Sequence, residues 1–229
     1  MRTLAKTSGW SLILMAIVAG FSLGFAFPKL YDVNSLDLSE QNLAQNYPLY
    51  VLMLFGIALI ILLDVLVSCT LYAFFKEDSK TLSVLSLLFR LIYSLLFTIA
   101  AYQLYKTISH ENVSNDLINS NYQSFQTIWS IGLIIFGFHL ITIGLLMNLH
   151  KQIPKLLWYL TLIAGLSYIV VHVLKITTQP VSELSKVLEN VLALPMALGE
   201  LGLAIWLVVK GGKTNENKPE IFVSNKDLV

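Results

Sequence analysis

The sequence predicts an all-α fold: a polytopic transmembrane bundle of six helices with both termini in the cytoplasm. Three observations carry that expectation. Of the 229 residues, 56% are hydrophobic and only 13% charged, about half the charged fraction of a soluble domain. The mean hydropathy of +0.71 is too high for a single globular core to absorb. Six mostly apolar runs have the roughly 20 residues that a bilayer crossing needs.

The first run, Gly9–Phe27, stops at Pro28-Lys29. Its basic leader, with Arg2 and Lys6, and Gly24-Phe25-Ala26 would also suit a signal peptide and its cleavage site. Its length favours a retained helix. So do Ala16, Gly20 and Gly24, whose four-residue steps predict a close helix contact. The second run, Pro48–Phe75, stops at Lys76-Glu77-Asp78, and the third, Leu82–Tyr105, at Lys106 and a polar stretch. The fourth, Ser124–Met147, precedes His150-Lys151, and the fifth, Lys155–Leu174, precedes Thr177 to Pro180. The sixth, Val187–Val209, ends at Lys210-Gly211-Gly212. No run alternates strictly, as a strand of an outer-membrane barrel would. The domain division is a transmembrane unit over 1–211 and a mobile cytoplasmic tail over 212–229.

Orientation follows from the basic flanks. Ten Lys or Arg residues lie at the amino end, in the second-to-third and fourth-to-fifth connections and in the tail; four (Lys29, Lys106, Lys175 and Lys186) lie on the other side. The polar stretches Tyr31–Tyr47 and Thr107–Gln123 read as outer loops, and Asn112-Val113-Ser114 forms a glycosylation sequon. Trp10, Trp129, Trp158 and Trp206 fall near run ends, as an interfacial aromatic belt would. Lys175 is placed to snorkel to headgroups. Cys69 reads as a small buried hydrophobe. A net charge of +1 gives no field that would favour nucleic acid.

Asp64, Arg90, His139 and Glu200 are the ionisable residues deep in the runs. At 1.5 Å per residue, Asp64, Arg90 and His139 each lie roughly 4–5 Å to the cytoplasmic side of their run centres, with Glu200 near the midplane. Ser83, Ser86, Ser94 and Ala101 share a helix face with Arg90, and Ser68 shares one with Asp64. Ala193, Ala197 and Ala204 line the side of Glu200, and Gly132 stacks under His139. Small and hydroxylated neighbours mark a helix contact and not a lipid face. Pro195 loosens the sixth helix one turn before Glu200. Asp64 and Arg90 suit an ion pair. With His139 neutral the four groups sum to −1, and with it protonated to zero, so the layer could take a proton, an ion or a headgroup.

Catalytic motifs are missing: there is no HExxH, GxSxG or phosphate-cradling loop. His139 and His172 differ in depth by about 15 Å, too far for shared zinc ligation. Neither catalytic nor metal residues, and no cofactor, are expected.

LYAFFK, LSLLFRLIY, FGFHLITIGLLM, IPKLLWYLTLIAGLSYIV and ELGLAIWLVVKG follow Asp64 in order. In that series the chain resembles a bacterial family of six-helix integral membrane proteins known as domain of unknown function four-three-eight-six. The resemblance spans about Gly9 to Gly211; Lys155 and Trp158 depart from it, standing where members usually carry arginine and glycine. It implies the six-helix fold and a bacterial plasma-membrane address, and it supplies no activity. The expected role is non-enzymatic, with a polar layer binding a small ligand, lipid headgroup or proton for transport or sensing. The alternative is a structural or partner-binding membrane subunit, or an immunity-type factor, whose charges only stabilise the bundle. An intramembrane enzyme ranks third.

Overall fold

The computed structural model describes residues 1–31, 36–109, 114–177 and 183–213. Asn112 and Val113 of the sequon, and 214–229 of the expected mobile tail, lie outside the described residues. Among the described residues there is no strand, and six helical spans are long and apolar enough to cross a membrane.

The first span, Arg2–Leu30, combines α1 (Arg2–Ala19), a π-helical segment (Gly20–Ala26) and α2 (Phe27–Leu30). Pro28 explains the wide segment: its ring would clash with the carbonyl four residues earlier in a regular helix, and a wider turn relieves that clash. The Phe27 amide donates five residues back, to the Ser22 carbonyl. The remaining helices are α3 (Leu36–Gln45), α4 (Tyr47–Phe75), α5 (Lys80–Ser109), α6 (Asn115–Leu149), α7 (Lys155–Thr177) and α8 (Glu183–Val209).

Each of α4 to α8 packs against the next, and α1 packs against both α4 and α8. The six spans therefore form a closed ring. Small residues set its tightest seams, because in lipid two helices gain by close approach and not by hiding apolar surface. A Cβ on Gly137 would sit 2.7 Å from the Gly165 carbonyl, and one on Gly165 would sit 2.7 Å from the Gly137 carbonyl. Gly9 lies against Ala204 and Val208, Gly56 against Ser22, and Gly199 against Ala164 and Leu160.

Several expectations need correction. Ala16, Gly20 and Gly24 form no seam: all are exposed, and a Cβ on Gly20 would meet nothing within 4 Å. The π segment changes the helical phase, so the face of the first span that meets α4 carries Ser22 and Ala26 instead. Cys69 is exposed, because Ser68 and Thr70 hold the buried side of that turn. The stretch Tyr31–Tyr47 contains α3, which tucks Ser39 and Leu43 beneath it. Thr107–Gln123 is also partly helical. The Ser114 hydroxyl caps α6 by accepting from the Leu117 amide at 3.3 Å, and Asp116 in the first turn complements the helix dipole. This earlier start puts Trp129 well inside α6. Trp206 is also buried, so neither of these two indoles lies on the outer surface as a belt residue would.

The face of the ring that bears Met1 is tied together by side chains. Asp78 Oδ2 and His150 Nδ1 pair at 2.8 Å, joining the α4–α5 and α6–α7 connections. Arg2 caps the end of α8, donating to the Val208 carbonyl at 2.6 Å and the Gly211 carbonyl at 2.7 Å. A guanidinium on the last carbonyls of a helix satisfies orphan acceptors and complements the dipole. Arg2→Ala is expected to destabilise the protein by about 1–2 kcal/mol, with Arg2→Lys losing less, as read by equilibrium unfolding in mixed detergent micelles.

Candidate functional site

Arg90 is 1% exposed and sits at the centre of a closed network. Its Nη2 and Nε both reach Asp64 Oδ1, at 2.7 and 2.9 Å. Its Nη1 donates to His139 Nε2 at 3.0 Å. The guanidinium carbon lies 5.3 Å from the Phe136 ring centroid, and Nη2 lies 4.0 Å from the Met15 sulfur. Four spans thus converge on one side chain.

The geometry fixes the state of His139. A guanidinium has only donors, so Nε2 must accept and the ring proton must sit on Nδ1. Nδ1–H in turn donates to the Ser86 carbonyl at 2.9 Å. The imidazole is neutral. Ser86 lies one turn before Arg90, so a single face of α5 holds both the ring and the guanidinium.

Asp64 Oδ2 is buried and, among the described residues, accepts no hydrogen bond. Asp64 borders a cavity of about 390 Å³ inside the ring, to which all six spans contribute. Glu200 borders it as well, and Oε1 of Glu200 accepts from the Tyr168 hydroxyl at 3.3 Å. The neighbouring residue places that carboxylate: Gly199 lets α8 close on α7, where Thr161 donates to the Gly199 carbonyl at 3.3 Å. The cavity wall is largely apolar, and Tyr93, Phe97, Trp129, Phe136 and Tyr168 form its aromatic part. The rings form a continuous path, Trp129 to Phe97 to Tyr93 to Phe136 to Tyr168, with centroid separations of 4.8 to 5.9 Å. His172 and Lys175 border the cavity toward the face opposite Met1.

The four residues singled out by depth divide between two environments. Asp64, Arg90 and His139 are brought together directly. Glu200 stands across the cavity with Tyr168, and Asp64 alone belongs to both the network and the cavity wall. Lys175 was expected to be explained by snorkelling alone, yet it lines the cavity. Tyr168 and His172 are functional-site candidates that depth reasoning misses. A signal was available: Thr161, Gly165, Tyr168, His172 and Lys175 follow three- and four-residue steps along one face of α7.

The family described as domain of unknown function (DUF4386) matches residues 7–211. An uncharacterized protein of Archaeoglobus fulgidus is 34% identical over 161 residues, which cover 70% of this chain and 85% of that relative. Similar chains are thus not confined to bacteria. No solved structure matches.

Proposed function

Because the chain belongs to the DUF4386 family of multi-pass membrane proteins, for which sequence offers no reaction, we propose a role built on its internal cavity: binding a small ligand within the membrane, for transport or sensing. One observation carries the reading. The Glu200 carboxylate borders a cavity of about 390 Å³ inside the bundle, with its Oε1 accepting from the Tyr168 hydroxyl at 3.3 Å, and a buried carboxylate beside an apolar cavity is costly unless a partner meets it. The volume falls in the range of about 300–1,000 Å³ typical of small-molecule sites. The Arg90 network serves as the rigid wall of that site, and Glu200 and Tyr168 serve as its responsive side. The basic flanks favour both termini in the cytoplasm of a plasma membrane, so the cavity would face outward past His172 and Lys175.

Cysteine accessibility tests the reading. On a Cys69→Ser background, Ala197→Cys and Ala16→Cys place thiols on the cavity wall, and Leu198→Cys places one on the outer surface of α8. In sealed, oriented vesicles, membrane-impermeant thiosulfonates should modify the two cavity thiols from the face away from the termini and spare the third. If neither cavity thiol reacts from either side, the cavity is not a site reached from water, and the charges serve only the bundle.

A further inference from the structure

We infer that the cavity selects a small organic cation, a protonated amine carried on an apolar body. The inference rests on the cavity being a binding site, and it is carried by what each wall can offer. Arg90 cannot receive an anion. Its donors face Asp64 and His139, its plane lies over Phe136, and it does not border the cavity. The charged group that remains at the deep end is the Glu200 carboxylate, which receives the Tyr168 hydroxyl. Asp64 and Arg90 cancel and His139 is neutral, so the deep end carries the charge of Glu200.

The aromatic wall points the same way. Ring faces attract a cation through their quadrupoles and give an apolar body a surface to lie on. Tyr93, Phe97, Trp129 and Phe136 border the same cavity as Glu200. An ammonium with its own N–H donors can hydrogen-bond the Glu200 carboxylate, which a quaternary nitrogen cannot do. His172 and Lys175 belong to the other end. Lys175 lies seven residues beyond Tyr168, about 10 Å along α7, so its positive charge sits at the mouth and not beside the deep carboxylates. An acid held at that mouth is the contrary outcome, and the test addresses it.

The experiment uses the full-length protein carrying Cys69→Ser and Ala197→Cys in vesicles. The thiol should react about tenfold faster with a cationic thiosulfonate than with an anionic one of similar size, because it lies one turn from the Glu200 carboxylate, which attracts cations and repels anions. Phenethylammonium at millimolar concentration should slow modification by a neutral thiosulfonate several-fold, and phenylpropionate and phenylethanol should not. Adding Glu200→Gln should bring the charge ratio toward one and remove the protection by the amine. Unchanged reaction with the neutral reagent then shows that the bundle is intact. Equal reaction with both charged reagents, or protection by the acid or the alcohol to the same degree as the amine, overturns the cation inference and leaves the cavity reading standing. No reaction with any reagent overturns the cavity reading itself.

Discussion

Arg90→Gln is expected to destabilise the protein by about 3–5 kcal/mol, because it strands the Asp64 carboxylate away from water with no cation beside it. The same change removes the Nη1 donor from His139 Nε2 and the cation from the face of Phe136. Asp64→Asn leaves the guanidinium as the uncompensated group and should cost a similar amount. The Asp64→Asn/Arg90→Gln double variant should be milder than either single change, since neither stranded charge remains. A coupling of about 0.5–3 kcal/mol is the range expected for contacting residues. Equilibrium unfolding of the four proteins in mixed micelles measures this cycle. Strictly additive losses would remove the ion pair as the reason for Arg90. His139→Gln should lose less than Arg90→Gln, because it deletes a neutral partner and leaves the charge pair in place.

The second large effect lies at the α6–α7 seam and involves no charge. Gly165→Ala puts a methyl group 2.7 Å from the Gly137 carbonyl and 2.9 Å from the Ile141 side chain. The obstacle is partly backbone, so the helices must separate. The expected loss is about 1–3 kcal/mol, the usual range for overpacking, with Gly165→Leu more severe. Gly20→Ala is the contrasting control. Nothing lies within 4 Å of the added methyl group, so the change should be neutral or slightly stabilising through the reduced freedom of the unfolded chain. Thermal unfolding followed by the monodisperse fraction in detergent ranks the three variants. Equal sensitivity at Gly20 and Gly165 would contradict the seam.

This pair of glycines also shows where reading the chain runs out. Gly20 and Gly24 of the first span look like Gly137 and Gly165 in sequence, but of these four only Gly137 and Gly165 meet the backbone of a neighbouring helix. Pro28 and the π segment decide the difference by rotating the first span, and that rotation is invisible to a count of four-residue steps. Tryptophan was misread for a related reason. Trp129 seems to lie near a span end only while the polar start of α6 is taken for a loop. Once Ser114 caps that helix, the indole lies deep enough to reach the cavity.

By itself, the sequence determined the six crossings, their approximate ends and the shared depth of Asp64, Arg90 and His139. Those properties are local: hydropathy marks each span, and a fixed rise per residue converts position into depth. It also showed that Arg90 requires a partner, since a guanidinium cannot discard its charge. Only the tertiary structure decided which way each helix turns. Lipid is as apolar as the inside of the bundle, so a helix such as α4 carries almost no contrast between its two faces. The ring closure set by Gly137, Gly165 and Gly199 therefore separates roles that look equivalent in the chain. It draws His139 and Asp64 onto Arg90 and turns Glu200 toward Tyr168. It also brings His172 and Lys175 onto the wall of the cavity between them.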